Sequence, residues 1–569
     1  MIINIKNILV SFIAFLLLLA WWSSLTIGLS SDEYFHHING LVRFEYLKTF
    51  GEFKDYKFRN NEFYPGLYDT FTYAIGQIIL LINKEFYSNN IDFTMHLVNI
   101  SFSSLSIFGL YLFTKKIFNV NIAILTSLLT LLNPFFFGHM GMNSKDLIIF
   151  FSLIWFCYYF YLYCTEDEKI LKNLLLSSVF IGFGCGVRLT FVVIIFPVII
   201  CGLIFLFKKY NLNFKYLIKR LFLHSLVAIV ISLFFIILCW PHMIEEIRND
   251  NFINFFSLIV KNTINWNDGP KIGLMNNQLY EVFNTPKTYF LSIVMYRLPF
   301  YFSLLVIASY LLIFTKKLYI KTKIKDFYKK FLIINIIGFF PIILALILSV
   351  NIYDNLRLFL FVIPFISLIA AFSIDHFLHN FKSSFNSKIF LTIIIILFSL
   401  SFYRFILLTP YQYGYVNYSH LNYKDSNEKW EHDYWGASYK ELVFKIKKKY
   451  SKEELKNFKI TGCPVTRTLL YYLSKELGIK KAYTTKQEEI EANYVILINR
   501  ATLDLFNPKI WPNVNHMVNE KGVLELRYLE KLVRFPGVQK TCFQKYKGTD
   551  EIVVSRNGVI ISTLRKLDK

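Results

Sequence analysis

ILVSFIAFLLLLAWWSSLTIGLSSDEYFHH (8–37) runs from an apolar stretch straight into two carboxylates, Asp32 and Glu33, and two imidazoles, His36 and His37. About 20 consecutive apolar residues cross a bilayer as a helix, so 8–28 reads as a membrane span. A charged cap that keeps a helix end at the interface needs one acidic residue. Two acids and two histidines within eight residues are more than a stop signal requires, and they read as a functional cluster at the membrane boundary.

The rest of the chain agrees with a polytopic membrane protein. It has 569 residues, 55% hydrophobic and 18% charged, with a mean hydropathy of +0.42. A soluble chain carries about 25% charged residues. The net charge of +23 fits basic inner loops plus a basic tail, or contact with anionic headgroups or a phosphorylated substrate. Nucleic acid is not expected, because the basic residues form no recognisable binding motif.

Apolar stretches at 8–28, 93–113, 119–137, 147–163, 171–187, 189–207, 221–240, 289–314, 331–350, 356–377 and 388–408 give about eleven transmembrane helices. Segment 64–83, YPGLYDTFTYAIGQIILLIN, is either a twelfth span or an interfacial helix. Charge chooses between them. TKKLYIKTKIKDFYKK (315–330) holds seven lysines in sixteen residues, and KKYNLNFKYLIKR (208–220) is also basic. With 64–83 on the surface, both loops fall on the cytoplasmic side, as the positive-inside rule requires. The N-terminus is then cytoplasmic, and loops 29–92 and 138–146 lie outside. The apolar core of 8–28 is longer than that of a typical cleaved signal peptide.

Residues 1–408 therefore form a helical membrane domain, and 409–569 a small extracytoplasmic α/β domain. In the latter, YKELVFKIKKKY (439–450) and TLLYYLSKELG (468–478) read as helices, FKITGC (458–463) and NYVILIN (493–499) as strands, and EIVVSRNGVIISTL (551–564) as a hairpin around a tight turn. No CxxC occurs among the seven cysteines. A Cys463–Cys542 disulfide is open to an exported tail, but the sequence does not bring the two sulfurs together.

Three further clusters join SSDEYFHH on the outer face. NPFFFGHMGMNSKDL (133–147) carries His139, Asn143, Lys145 and Asp146. GFGCGVRLTF (182–191) places Arg188 between two apolar segments, and NIYDNLRLFLFVIP (351–364) caps a span with Tyr353, Asp354 and Arg357. Intramembrane cations are expensive unless paired, and a guanidinium suits phosphate oxygens. DExxH also resembles a reversed zinc-protease motif, but the adjacent His36 and His37 do not share a helix face, which argues against zinc hydrolysis. Trp430, Tyr434, Trp435 and Tyr439 could stack on a sugar or form the core of the small domain.

SDEYFHH, the second-loop string ending in KD, YDNLRLFLFVIP, LTPYQYGYVNY (408–418) and WEHDYWGASYKE (430–441) together resemble GT-C glycosyltransferases of the family 39 type, which includes protein O-mannosyltransferases and aminoarabinose transferases. The resemblance implies a GT-C-like membrane domain and inverting transfer of a sugar from a polyprenyl-phosphate donor to a hydroxyl of a protein or glycolipid, at the outer face of a bacterial inner or plasma membrane. It implies Asp32 as catalytic carboxylate, supported by Glu33, with Asp146 as the second-loop acid. It places His36, His139, Lys145, Arg188, Tyr353 and Arg357 around the substrate. Asp32 and Asp146 are the candidate ligands for a divalent cation, Mg²⁺ or Mn²⁺, should one be used. The chain departs from the subgroup at Ser144, where proline is usual before KD, at 419–429, which replaces a glycine-rich stretch, and at YPG (64–66), where a double proline is usual. The alternative function is a transporter or lipid-linked sugar flippase. That reading expects polar residues at mid-membrane and two related halves. Here the charged residues sit at the outer ends of spans, and no repeated half is seen.

Overall fold

The computed structural model describes residues 5–568 apart from 58–60, 210–213, 265–271, 283–284, 316–317, 319–325, 349, 382–383, 420–425, 465, 481, 483–490 and 503–539. The helices in chain order begin with α1 (Ile5–Thr26), α2 (Ser31–Lys48), α3 (Leu67–Ile82), α4 (Lys84–Asn89), α5 (Ile91–Ile117), α6 (Val120–Leu131), α7 (Pro134–His139), α8 (Asp146–Thr165) and α9 (Ile170–Val187). They continue with α10 (Phe191–Lys209), α11 (Phe214–Leu238), α12 (Pro241–Arg248), α13 (Phe252–Ile264), α14 (Tyr289–Arg297), α15 (Phe300–Phe314), α16 (Phe327–Ile347), α17 (Ile363–His379) and α18 (Phe385–Leu407). Among the described residues, nine helical segments are long and apolar enough to cross a membrane, and the pair α14–α15, bent by 113° at its break, makes a tenth if it is one broken span rather than a re-entrant loop. The protein is thus an integral, multi-pass membrane protein.

The difference from eleven has a local cause. Stretch 119–137 is split: α6 stops at Leu131, Asn133 accepts hydrogen bonds from the backbone of Phe135 and Phe136, and Pro134 starts α7. Proline is preorganised for the first helical position and cannot continue the preceding helix. The twelve residues of α6 are almost all buried, so it is an internal strut packed on α5 and α17. Segment 64–83 forms α3, sixteen residues long and outside the set of spans.

Burial sorts the helices by position. The segment Arg357–His379 is 83% buried and α8 72%, whereas Leu221–Leu238 is only 6% buried. That helix packs one side on α9, where Ser232 Oγ donates to Ser178 O at 3.0 Å, and turns the rest of its apolar surface to lipid. In the interior, serines tie backbones together: Ser309 Oγ donates to Ile369 O at 2.6 Å and Ser373 Oγ to Leu305 O at 2.9 Å. Such bonds satisfy hydroxyls that lipid would leave unpaired.

Beyond Leu407 the chain builds a sheet of β3 (Ile460–Cys463), β4 (Tyr494–Ile498), β7 (Gly548–Arg556) and β8 (Val559–Leu567), after the small hairpin β1 (Ile272–Met275) and β2 (Gln278–Glu281) and beside the short pair β5 (Ala501–Thr502) and β6 (Lys540–Thr541). The order is β3-β4-β8-β7, with β3 and β4 parallel and the other pairs antiparallel. The β7–β8 turn has positive φ at both Asn557 and Gly558, as a two-residue hairpin turn with the sheet's twist demands. Two helices, α19 (Tyr439–Lys449) and α20 (Arg467–Leu477), pack in the domain. Cys463 and Cys542 are disulfide-bonded, with Cα atoms 5.5 Å apart.

The domain is docked on loops 29–92 and 138–146. Gly28 N donates to Ala437 O (3.1 Å) and Ser31 N to Trp435 O (2.9 Å). Leu29 N donates to Tyr472 Oη at 2.8 Å, and Lys440 pairs with Asp92 at 2.7 Å. On the second loop, a Cβ at Gly138 would stand 2.2 Å from Tyr413 N, so only glycine lets α7 approach that backbone.

Candidate active site

SSDEYFHH starts α2 rather than merely ending α1. Ser30 is the N-cap: its Oγ accepts from Glu33 N at 3.3 Å, while Glu33 Oε2 accepts from Ser30 N at 2.8 Å, a reciprocal capping box. Glu33 is fully buried and is also bound by Asn99 Nδ2 (3.0 Å) and His96 Nε2 (3.1 Å). Its carboxylate fixes the start of α2 against α5. Asp32, one residue earlier, points elsewhere. It is surrounded by protein, yet 47% of its side chain is accessible, the signature of a carboxylate facing a cleft.

Arg357 forms the floor of that cleft. Its Nη1 lies 3.0 Å from Asp32 Oδ2 and 3.3 Å from Asp354 Oδ2, and its Nε lies 3.8 Å from Asp146 Oδ2. The guanidinium is sandwiched between the rings of Trp435 (4.7 Å) and Tyr353 (5.1 Å). Asp354 and Asn355 both adopt left-handed backbone, at φ 54° and 63°. Asp and Asn tolerate that region best among non-glycine residues, and strain of this kind gathers at functional sites. Arg188, at the C-terminus of α9, pairs with Asp146 at 3.3 Å and is 28% exposed. Asn143 Nδ2 donates to Asp146 at 3.1 Å and holds it at the start of α8.

Lys145 Nζ lies over the ring of Tyr64 at 4.0 Å and that of Phe35 at 6.0 Å, and no carboxylate among the described residues forms an ion pair with it. Burial and the nearby Arg188 push its ammonium down to about 8, against the pull of Asp32, Asp69 and Asp146. Burial works against the Asp32 carboxylate, but Arg357, Lys145 and His36 outweigh it and hold its carboxyl below the ordinary value. For Asp354 burial prevails over Arg357 and the carboxyl is raised.

The structure therefore brings Asp32, Asp146, Lys145, Arg188, Tyr353 and Arg357 into one cleft. His36 stands beside it, with Nδ1 3.0 Å from Asp69 in α3. Asp69 accepts from Asn39 at 2.5 Å, and Asn39 accepts from Arg43 Nε at 2.9 Å. His139 is fully buried, with Nδ1 2.7 Å from Phe135 O and Nε2 2.8 Å from Tyr434 Oη. It joins the second loop to the C-terminal domain rather than facing the cleft. Tyr434 and Tyr439 are core of the small domain, Trp435 packs on Arg357, and Trp430 is buried in the core of the membrane domain beside Tyr296 and Arg297. Asp69 and Arg500 lay outside the sequence reading. Asp69 sits in an apolar helix with no neighbouring charge in sequence, and Arg500 follows a strand in the distant domain.

Among the described residues no three His, Cys, Asp or Glu stand close enough to hold a metal. The carboxylates expected as ligands of a divalent cation, Asp32 and Asp146, are engaged by Arg357 and Arg188.

Residues 77–240, less than half of the chain but including Lys145, Asp146 and Arg188, match the family described as dolichyl-phosphate-mannose-protein mannosyltransferase. The matched segment is thus similar to a family of mannosyltransferases, the class that the sequence resembles. No curated protein matches by sequence. Among solved structures the chain is similar to ArnT from Cupriavidus metallidurans bound to undecaprenyl phosphate, with 12% identity, a TM-score of 0.48, and 99% of this chain and 98% of that one covered. It is also similar to the oligosaccharyltransferase AglB from Archaeoglobus fulgidus in complex with an inhibitory peptide and a dolichol-phosphate, with 11% identity, a TM-score of 0.45, and 86% and 69% covered.

Proposed function

We propose that the protein transfers a sugar from a polyprenyl-phosphate donor to an acceptor hydroxyl, with inversion, on the extracytoplasmic face. The observation that carries this reading is an accessible carboxylate, Asp32, 3.0 Å from a buried guanidinium at the edge of a membrane bundle. Asp32 accepts the proton of the acceptor hydroxyl as its oxygen attacks the anomeric carbon. The bond from that carbon to the phosphate oxygen breaks on the opposite face, which gives inversion. The phosphate leaves with the bonding electrons and is stabilised by Arg357, Arg188 and Lys145. Lys145 suits this role because no carboxylate among the described residues pairs with it. Arg357 keeps Asp32 ionised at neutral pH, so the base is available without prior deprotonation.

The orientation rests on two supports. The lysine-rich loops favour the cytoplasmic side, and a Cys463–Cys542 disulfide favours an oxidising compartment for the outer domain. The acceptor is a protein or glycolipid hydroxyl. Membranes carrying wild type or Asp32→Asn at equal levels, supplied with radiolabelled polyprenyl-phosphate sugars, test the reading. Transfer by wild type that is lost in the variant supports it, and equal transfer by both removes Asp32 from the mechanism.

A further inference from the structure

The outer domain does more than cover the cleft. Arg500 follows β4, and both its backbone and its head are fixed. Its carbonyl accepts from Cys542 N at 3.1 Å, and Cys542 is one half of the disulfide with Cys463. Its guanidinium donates to Tyr434 O. The next residue, Trp435, stacks on Arg357 at 4.7 Å and accepts from both Ser31 N and Ser31 Oγ at 2.9 Å. Ser31 precedes Asp32. The head of Arg500 therefore enters where the Tyr434–Trp435 turn meets the start of α2, and its side chain is only partly buried.

Lys145, Arg188, Arg357 and Arg500 gather where Asp32, Asp146 and Asp354 meet, and Asp69, which also pulls on Lys145, is itself paired with His36 at 3.0 Å. Among the described residues the Arg500 guanidinium makes one hydrogen bond, that to Tyr434 O, which leaves most of its five donors open. Arg500 also acts electrostatically on both Asp32 and Asp354, which agrees with a position at the cleft.

We infer that Arg500 is an oxyanion-binding residue contributed by the outer domain to the catalytic cleft and seated there by disulfide-bonded Cys542. The inference rests on the glycosyltransfer reading above. The oxyanion is either the donor phosphate or an acidic group of the acceptor, and the same guanidinium chemistry recognises both.

The test uses the full-length protein in detergent, with undecaprenyl phosphate and the neutral undecaprenol as competing probes, and transfer assays in which donor and acceptor KM are read separately from kcat. Three variants are compared with wild type: Arg500→Gln, Arg500→Lys, and Cys463→Ser combined with Cys542→Ser. If the donor supplies the oxyanion, Arg500→Gln weakens undecaprenyl phosphate about tenfold, as expected for a lost charge-assisted hydrogen bond, and leaves undecaprenol unchanged. Arg500→Lys then restores part of the loss, and the double serine variant shifts affinity in the same direction. If the acceptor supplies it, phosphate affinity holds and the acceptor KM rises by a similar factor. Equal loss for phosphate and alcohol would mean a structural role only and would overturn the inference, as would no change in either KM. Wild-type transfer measured alongside separates this failure from failure of the functional reading, which would show as no transfer by wild type itself.

Discussion

At the scale of single residues, the site is an arrangement of unequal partners. Arg357 meets three carboxylates, and removing it would leave buried charge uncompensated. Breaking a buried pair in this way costs about 3–5 kcal/mol, so Arg357→Gln is expected to lower the melting temperature and to abolish transfer. A variant with unchanged thermal stability would show that the ion pairs are weaker than their geometry implies. Lys145 gives a pH dependence. Its ammonium is held near 8 by burial and by Arg188, so it is charged below that pH and loses its charge as pH rises through it. Donor KM is expected to climb above about pH 8 in wild type, and Lys145→Gln should have a high donor KM with no such limb. A limb that persists in the variant would assign the titration to another group.

At the scale of elements, loop 29–92 is held by one buried arginine. Arg43 donates to the carbonyls of Pro65 (2.8 Å), Cys239 (2.9 Å), Asn61 (2.6 Å) and Tyr64. Through Asn39 it reaches the Asp69–His36 pair beside the cleft. Arg43→Met should cost at least about 3 kcal/mol, since each hydrogen bond to a charged group is worth roughly 1.5–3 kcal/mol, and a thermal unfolding series would measure it. Arg43 had no such role in the sequence, because its partners are backbone carbonyls from two other segments, 61–65 and Cys239. Asp32, Asp146, Arg188 and Arg357 were legible because each is a charge set against an apolar span, where only function or pairing explains it. Glu33 and His139 were legible as polar clusters but not as joints. A capping box and an imidazole bridging two loops depend on which way a side chain turns, and residue spacing does not record that. The break at Asn133–Pro134 was visible as a dipeptide, yet the total apolar length of 119–137 outweighed it in the span count.

At the scale of the whole molecule, hydropathy alone specifies the helical bundle and the change of character near residue 409. The strand order β3-β4-β8-β7 and the docking of the domain on loops 29–92 and 138–146 come from pairings far apart in the chain, which periodicity cannot register. If the domain is extracytoplasmic, Cys463 and Cys542 should react with a membrane-impermeant maleimide on intact cells only after a reductant is added. A requirement for permeabilisation would place the domain on the other side. The central claim is that Asp32 is the base of a sugar transfer, and the most direct measurement separates binding from turnover in the purified full-length protein. Wild type and Asp32→Asn would each be given one polyprenyl-phosphate sugar that wild type uses. The account predicts donor affinity within a few-fold and a kcat lower by about 10²–10⁴, the usual contribution of a positioned base. Equal kcat in the two proteins would contradict it.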